Sequence, residues 1–432
     1  MCNLCDIFVK YLTYWVFMLL EFSLENFKCF KDEATLSFIP GMSSNLENHV
    51  VKNQNPKYKA LRSAVIYGAN GAGKSSLMDG ARFMCNLVLN SPNHVDDQKL
   101  VTPHFQFDEK CSKKPIKFKI IFTYDKERYE YNFSYNQEQI LTEKLLHYPE
   151  KGRVRKLFLR NKLKFSFGSS FVKGRGFKKV IDSLQKNQLL VSAPVNSPSL
   201  NLVYEFFKNC VFIYDFKQLT DFTNKVIHTN SGNHNFNKLL NNIMSRIDVG
   251  IESVHVLKVT AEDAEIRYQH LPDSIRDDLV KRFKNQDEFE VFFKHNGSKK
   301  LIPFKSESIG TQKLYSLLGP IFNGHLKKSI LFIDELNSSL HPSLTEFILD
   351  FLHNQNKYLE LETENQFIIN LHDTSLLNPS IFRADQIWFI AKDHDGVSEL
   401  YSLDDFKDRS NLIQRNYLDG KYGAIPVIKR FS

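Results

Sequence analysis

The 432-residue sequence has few cysteines and lacks an apolar run that could cross a bilayer. A membrane-spanning helix needs about 20 consecutive apolar residues, whereas the apolar stretch near the start covers only residues 11–20. The six cysteines are scattered, and Cys2 and Cys5 form a lone C-x-x-C pair without a histidine cluster nearby. A zinc site needs four suitably spaced ligands, so we expect none here. This pattern is typical of a protein of the reducing cytoplasm, without a membrane partner.

The sequence also lacks repeats, low-complexity tracts and a small-residue cleavage site after the apolar stretch. The last absence argues against a secretory signal peptide. We expect instead that residues 1–17 are an extension ahead of a natural start at Met18. From Leu20 to Leu24, apolar residues alternate with polar ones, the period-two pattern of a half-buried strand. Residues 34–38 predict its return strand.

Acidic residues are absent between residues 151 and 179, where eleven Lys or Arg residues occur. The chain carries a net charge of +8, so this stretch accounts for the whole excess and leaves the remainder at −3. A patch of one sign could contact a nucleic-acid backbone or an acidic partner. A solvated hairpin explains the composition equally well, and the sequence leaves both interpretations open. The residues are Lys151, Arg153, Arg155, Lys156, Arg160, Lys162, Lys164, Lys173, Arg175, Lys178 and Lys179.

What the sequence does contain is a short apolar run, residues 64–67, that leads into a glycine-rich loop and then a helix. The order strand, loop, helix is the context of a phosphate-binding P-loop. Glycines let backbone N–H groups turn toward phosphate oxygens, and the helix N-terminus adds partial positive charge. Lys74 would place its charge between the terminal phosphates, and Ser75 would offer its hydroxyl to Mg²⁺. The predicted binding residues are Gly68, Asn70, Gly71, Ala72, Gly73, Lys74, Ser75 and Ser76.

A second chemical region follows the apolar run 330–333, which ends in Asp334 and Glu335. A continuous apolar run is typical of a strand buried on both faces of a parallel sheet. Ligands of open α/β sheets bind at the carboxyl ends of such strands. Asp334 would hold Mg²⁺ through water, and Glu335 would orient and polarise the attacking water. Alone, the pattern fits an ordinary strand and turn as well; its pairing with the P-loop favours a site.

Two further segments gain meaning only in combination with these. Ser308 and Gly310 open a predicted helix and could form another anion site, although alone they are a capped helix start. The apolar run 366–371 ends at His372, which could contact a γ-phosphate. A lone histidine is more often structural.

In this order, the segments resemble the ABC-type ATPase heads of the SMC, RecF and OLD lineage. The loop 68–75 matches G-x-x-G-x-G-K-S, 308–311 falls at the signature motif, and 334–335 matches Walker B; the D-loop and switch histidine correspond to 338–342 and His372. The closest likeness is to RloA-like AAA/ABC ATPases of bacterial restriction and abortive-infection loci. It covers residues 18–170 and 300–432 and, only loosely, the middle. It rests on residues 20–38, 307–311, 334–342, 371–377, 385–389 and 417–426.

Two departures from the family pattern stand out. Asn370 occupies a position where relatives often carry Thr or Ser, and the signature lacks the Leu-Ser-Gly-Gly-Gln form. The resemblance implies an α/β fold, namely an ABC-type P-loop ATPase head. Such a head has a mixed sheet with an antiparallel β-subdomain, here joined by a mostly helical insertion.

Strand patterns in residues 116–168 predict antiparallel hairpins that present the basic stretch. Within residues 176–285, helical spacing occurs at 180–190, 200–207 and 236–247. We therefore expect an extension at 1–17, the N-terminal lobe of the head at 18–175, the mostly helical insertion at 176–300 and the C-terminal lobe at 301–432.

The resemblance implies ATP and Mg²⁺ as cofactors and ATP hydrolysis with Glu335, His372 and Lys74 as catalytic residues. Two heads would pair head to tail, as a homodimer or larger assembly, with the P-loop of one chain facing Ser308 and Gly310 of the other. The protein would then be a switch that controls an effector encoded nearby, a nuclease or toxin, in anti-phage defence.

Two alternatives stay open: a DNA-repair or DNA-maintenance ATPase of the RecF kind, and an ATP-gated scaffold with little turnover. An OLD-type nuclease is disfavoured, because that class carries a further domain and only 60 residues follow His372. Residues 393–396 could mimic a D-x-D metal site, but their strand-like flanks predict a hairpin turn.

Overall fold

The structure is a computed structural model of the chain. It describes residues 17–43, 45–52, 55–194, 196–213, 216–247, 250–267, 288–327, 329–338, 340–355, 365–406 and 412–425, with the single residues 269, 270, 272, 273, 276, 280 and 357. Cys2, Cys5 and almost all of the predicted extension lie outside the described residues. No helix among those described is both long and apolar enough to cross a membrane.

The chain forms two compact units. Unit 1 comprises residues 1–212, 327–336 and 364–432, and unit 2 comprises residues 213–326 and 337–363. The boundaries of the predicted lobes and insertion stay a prediction.

Strands and helices are numbered in chain order within the described residues. The strands are β1 (Phe17–Glu25), β2 (Ala34–Ser37), β3 (Val50–Lys52), β4 (Lys59–Leu61), β5 (Ser63–Gly68), β6 (Ile116–Tyr124), β7 (Glu127–Tyr135), β8 (Ile140–Tyr148), β9 (Arg155–Asn161), β10 (Lys164–Phe167), β11 (Cys210–Ile213), β12 (Ile251–Val259), β13 (Glu288–His295), β14 (Leu301–Pro303), β15 (Ile330–Ile333), β16 (Gln366–Asn370), β17 (Ile387–Lys392) and β18 (Ser398–Ser402). The helices are α1 (Lys74–Asn90), α2 (Phe177–Ser183), α3 (Pro198–Lys208), α4 (Phe216–Asn230), α5 (His234–Ile247), α6 (Ala261–Arg267), α7 (Ile309–Lys327), α8 (Pro342–His353) and α9 (Ile413–Leu418).

Unit 1 contains an antiparallel sheet of seven strands in the order β10-β9-β8-β7-β6-β1-β2. The predicted hairpins of residues 116–168 and the predicted return strand are confirmed. β1 is more deeply buried than its alternation predicts, because Ser23 is buried along with its apolar neighbours. Its hydroxyl lies 2.8 Å from that of Thr35 on β2, so the polar atom keeps a hydrogen-bond partner.

A second sheet in unit 1 has the order β11-β15-β16-β5-β17-β18. β15, β16, β5 and β17 run parallel, and β18 returns antiparallel to β17. The two runs predicted as buried parallel strands are β15 and β16, and both are buried along their whole length. Parallel neighbours end at the same edge of the sheet, so the residues after β5, β15 and β16 come together there. The α/β fold class, a mixed sheet with an antiparallel subdomain, is confirmed.

Helix α1 follows β5 and turns its apolar stripe into the core of unit 1. Leu77, Ala81, Met84 and Val88 are all buried, at the i, i+4, i+7 and i+11 spacing of one helix face. They belong to a hydrophobic cluster that also includes residues of β1, β6 and β15. The helix that begins at the P-loop is therefore fixed by apolar packing along its length.

Arg160 departs from the prediction that the basic stretch lies on the surface. Its side chain is fully buried, with Nη1 3.4 Å from Glu143 Oε2, and Nη2 donates to the carbonyls of Gln185 and Lys186. These carbonyls belong to a loop, since helix α2 ends at Ser183; the helix predicted over 180–190 is therefore wrong beyond that residue. The other ten Lys and Arg residues of the stretch are exposed.

Unit 2 combines the antiparallel sheet β12-β13-β14 with helices α4 to α8. The predicted helical spacing of residues 236–247 is confirmed by α5. In α7, Leu314, Leu317 and Leu318 are buried, as the predicted stripe requires. Thr223 of α4 donates from its hydroxyl to the Ser316 carbonyl and accepts from the Gly319 N–H at 3.1 Å, which ties α4 to α7.

Candidate functional site

The glycine-rich loop lies between the end of β5 at Gly68 and the start of α1 at Lys74. Gly73 is the residue before the helix and has a φ of +123°, which side-chain-bearing residues rarely adopt. A Cβ atom there would lie 2.7 Å from Cys29 Sγ and 3.0 Å from Ser398 Oγ. The loop conformation therefore requires glycine at this position, for both backbone and packing reasons.

Two residues that the sequence did not indicate, Cys29 and Ser398, contact the glycine-rich loop. The Ser398 hydroxyl donates to the Ala72 carbonyl at 2.5 Å, and the Ser398 N–H donates to the Cys29 carbonyl at 2.8 Å. Cys29 and Ser398 are buried and come from segments far from the loop in sequence. Residues 393–396 are the turn of the β17–β18 hairpin, as predicted, and Ser398 begins the strand after it.

Lys74 is buried with its ammonium group at the loop. Nζ donates to the carbonyl of Gly68 at 2.7 Å and to that of Ala69 at 3.1 Å. Burial lowers the pKa of Lys74, and the Asp334 and Glu335 carboxylates oppose that shift. These electrostatic interactions join two segments that lie 260 residues apart in the sequence, as a bipartite nucleotide site requires.

Asp334 and Asn370 meet because they end neighbouring parallel strands. Ile333 and Ile369 are paired across β15 and β16, and Asn370 Nδ2 donates to Asp334 Oδ1 at 2.7 Å. Asn370 is fully buried, and within the described residues its Oδ1 accepts no hydrogen bond. Since buried polar atoms are normally satisfied, this orphaned oxygen marks a place for a further donor, such as metal-bound water.

Glu335 and His372 complete the cluster at this sheet edge. Glu335 has a φ of +50°, an uncommon value for a non-glycine residue, and its side chain is 60% exposed. His372 Nε2 lies 4.0 Å from Glu335 Oε1. Burial and the Lys74 charge lower the pKa of His372, while Glu335 and Asp334 oppose that shift. The neutral imidazole is therefore the favoured form near pH 7.

The remaining loop residues face outward at the start of α1. Asn70, Gly71 and Ser75 are exposed, and Ser76 is half-buried. A serine hydroxyl and an aspartate carboxylate are hard oxygen ligands of the kind Mg²⁺ takes in company with phosphate oxygens. Together with the Lys74 amine and the orphaned Asn370 oxygen, the residues present fit ATP and Mg²⁺. Within the described residues, no group of three or more His, Cys, Asp or Glu side chains is placed to hold a metal ion.

Ser308 and Gly310 belong to unit 2, at the start of α7. The Ser308 hydroxyl accepts from the Thr311 N–H at 3.1 Å and lies 2.8 Å from the Thr311 hydroxyl, so it caps the helix. Ile309, between them, is exposed. Ser339, in the segment that matches the D-loop, lies outside the described residues. The role of this helix start in nucleotide binding stays a prediction.

Comparisons with known proteins bear on the family and the fold. The family model described as "AAA domain, putative AbiEii toxin, Type IV TA system" matches residues 63–378. No curated protein sequence matches the chain. The matched range contains the P-loop and His372, whereas Cys29 and Ser398 lie outside it.

Solved structures of SMC heads are similar at low identity. An SMC head bound to the C-terminal winged-helix domain of ScpA shares 15% identity with a TM-score of 0.43, over 90% of this chain and 99% of that one. The SMC head of Thermotoga maritima shares 14% identity with a TM-score of 0.42, over 89% and 98%. A Pyrococcus furiosus SMC head with an extended coiled coil shares 13% identity with a TM-score of 0.36, over 94% and 100%.

Proposed function

The chain belongs to the AAA-domain family described as putative AbiEii toxin of type IV toxin–antitoxin systems, and from that premise we propose that it is an ATP-hydrolysing switch. The observation that carries the proposal is the convergence of Lys74, Asp334, Glu335 and His372 at the carboxyl edge of one parallel sheet. This set of groups suits phosphoryl transfer to water, because it places a buried cation, two carboxylates and a neutral imidazole beside a helix N-terminus.

Each residue has a role that its chemistry supports. Lys74 would bind the terminal phosphates, and its low solvation strengthens that attraction. Ser75 and Asp334 would hold Mg²⁺, whose charge offsets that of the phosphates. Asn370 would keep Asp334 oriented through the 2.7 Å hydrogen bond. Glu335 would accept a proton from the attacking water, and His372 would donate a hydrogen bond to the γ-phosphate.

The proposal includes a head-to-tail pair of chains, in which Ser308 and Gly310 of one copy close the site of the other. This part rests on the motif resemblance and on the exposure of Ser308 and Ile309, since Gly310 itself is buried. Binding and release of ATP would then assemble and separate the pair, and the differential affinity for the two states would drive the switch. The family description names a putative toxin of type IV toxin–antitoxin systems. We propose that the switch controls an effector protein encoded nearby, in cytoplasmic anti-phage defence.

A second candidate function, DNA maintenance of the RecF kind, is favoured by one observation. Residues 151–179 of unit 1 carry ten exposed cations and no acidic residue. Hydrolysis stimulated by duplex DNA would favour this candidate, whereas release of a co-purified protein on ATP addition would favour the effector switch. A wild-type protein that binds ATP without turnover would instead be the scaffold.

The pairing is tested by complementation between two inactive variants. Lys74→Ala disables the P-loop and Ser308→Arg blocks the helix start. In a head-to-tail heterodimer, one of the two sites combines the intact halves, so mixing the variants should restore hydrolysis. Mixtures that stay inactive, although each variant is folded, would contradict the proposed pairing.

The chemistry is tested with Glu335→Gln, measured beside the exposed control Glu138→Gln. We expect the Glu335 variant to bind ATP, to lose hydrolysis by at least about 100-fold and to accumulate as a dimer in light scattering. The control should behave like the wild type. Unchanged turnover in the Glu335 variant would remove this residue from the mechanism.

A further inference from the structure

The exposed cations of residues 151–179 have no acidic partners within the described residues, unlike the lysines of strand β6. On β6, Lys117 and Lys119 form ion pairs with Glu25 and Glu33 at 2.9 and 2.6 Å. Within the described part of the chain, none of the ten exposed cations is paired with a carboxylate. We call these residues the basic surface: Lys151, Arg153, Arg155, Lys156, Lys162, Lys164, Lys173, Arg175, Lys178 and Lys179. Unpaired charges at this density favour a polyanionic partner.

A cavity of about 480 Å³ opens within the basic surface. Phe167, at the end of edge strand β10, and Phe177, at the start of α2, form its apolar side with Ile181. Their ring centroids lie 5.1 Å apart at a steep angle. Such a volume lies in the range of small-molecule sites. The apolar side of the cavity therefore offers an aromatic surface to a planar group.

Cations form the other side of the same cavity. Lys173, Lys178 and Lys179 line it, and Lys173 Nζ lies 5.7 Å from the centroid of Phe167. A cation at the face of a ring shows that the face can be approached from the cavity. The combination, an aromatic ring with several lysines around it, matches a ligand that joins a flat ring to phosphates.

We propose that the basic surface binds single-stranded nucleic acid, with the phosphates along the exposed cations and one unstacked base in the cavity against Phe167. Duplex DNA would satisfy the cations but keeps its bases stacked, so it would leave the cavity unused. An acidic protein would pair with the lysines and would likewise gain little from the aromatic side. This inference goes beyond the ATP-dependent switch and does not depend on it.

Fluorescence anisotropy of the full chain tests the proposal with labelled probes of about 16 nucleotides: oligo-dT, oligo-U and a duplex of mixed sequence, with polyglutamate as competitor. We expect the better of the two single strands to bind at least about 10-fold more tightly than the duplex. Comparison of oligo-dT with oligo-U shows whether the DNA or the RNA strand binds more tightly. Tighter duplex binding would overturn the proposal, and so would displacement of the single strand by equimolar polyglutamate.

Two variants separate the charge from the aromatic surface. Neutralising three lysines in Lys173→Gln/Lys178→Gln/Lys179→Gln should weaken single-strand binding and reduce the slope of log K against log salt by about 2. The matched control Lys110→Gln/Lys113→Gln/Lys114→Gln removes three exposed charges elsewhere on unit 1 and should leave the slope nearly unchanged.

Phe167→Leu should weaken single-strand binding by about 10-fold with the salt slope preserved, because stacking is lost and the charges remain. Since Phe167 also packs on Phe171 and Phe177, thermal unfolding must show that this variant is folded. If it is not, Ile181→Glu places a carboxylate at the cavity and should abolish the single-strand preference. A folded Phe167→Leu chain with wild-type affinity, or an equal effect of both lysine triples, would overturn the proposal.

Discussion

The buried pair of Arg160 and Glu143 gives a stability prediction whose size follows from its contacts. Both side chains are fully buried. Glu143 also accepts hydrogen bonds from the Leu190 N–H at 2.8 Å, the Val191 N–H at 3.1 Å and the Tyr131 hydroxyl at 3.0 Å. We consider the change Arg160→Met, which keeps a long apolar side chain and removes the charge.

The expected cost is about 3–5 kcal/mol of unfolding free energy, because the variant leaves a buried carboxylate without its counter-charge. The carbonyls of Gln185 and Lys186 also lose their donor. Stabilities of whole domains are about 5–15 kcal/mol, so this loss is large. In the double variant Glu143→Gln/Arg160→Met, no buried charge remains. The single amide oxygen can still accept from the Val191 N–H and the Tyr131 hydroxyl, which both bind Oε1, whereas the Leu190 N–H, which binds Oε2, loses its acceptor. We therefore expect the double variant to recover about 2 kcal/mol.

The loss should also depend on pH. Burial raises the pKa of Glu143, and Arg160 opposes that shift; without Arg160 the folded-state pKa rises further above the unfolded value. The folded variant then binds more protons than the unfolded chain, so its stability is highest at low pH and falls as pH rises through that window. The deficit relative to wild type should be larger at pH 8 than at pH 5.5.

Urea unfolding followed by tryptophan fluorescence measures these effects, since Trp388 lies in β17 of unit 1. A cost below about 1 kcal/mol for Arg160→Met would refute the reasoning, since only an exposed pair is worth so little. A double variant that is no more stable than the single variant would refute it as well.

Three further predictions concern the candidate site. Gly73→Ala should lower ATP affinity at least about 100-fold, because its Cβ would meet Cys29 and Ser398. Gly71→Ala should lower ATP affinity only about 10-fold, because Gly71 has a φ of +76° but open space around its Cβ. Titration with a fluorescent ATP analogue compares the two variants. Asn370→Ala should raise the Mg²⁺ concentration for half-maximal hydrolysis by about 10–100-fold, because Asp334 loses its 2.7 Å donor; an unchanged requirement would contradict the positioning role. Burial and Lys74 lower the pKa of His372, so the acid limb of kcat should lie below about pH 6.5 and move to lower pH in His372→Gln; an acid limb at an unchanged pH in this variant would assign it to another group.

The sequence predicted those parts of the fold that depend on local pattern. The run from Ile330 to Ile333 could be recognised as a buried parallel strand because every residue is apolar, and the carboxylates after it had to fall at the sheet edge. The sequence could not predict that Arg160 is buried, because nothing local distinguishes it from the ten exposed Lys and Arg residues of the same stretch. The burial depends on Glu143 across the strand pair and on carbonyls more than 20 residues away. Hydrogen bonds and ion pairs between residues that are far apart in the chain leave no pattern in the local sequence.

The supports of the glycine-rich loop show the same limit and have a consequence for the family match. The match covers residues 63–378, yet Cys29 and Ser398 contact the loop from outside that range. β5 also pairs with β17 on one side, so without the C-terminal hairpin the strand that leads into the loop would become a sheet edge. The Ala72 carbonyl would lose the Ser398 hydroxyl as its hydrogen-bond donor. Gly73 would lose its packing against Ser398, which helps to hold its φ of +123°. The conformation of the glycine-rich loop is therefore a property of unit 1 as a whole, because segments far from the loop in sequence contact it and hold its backbone in place.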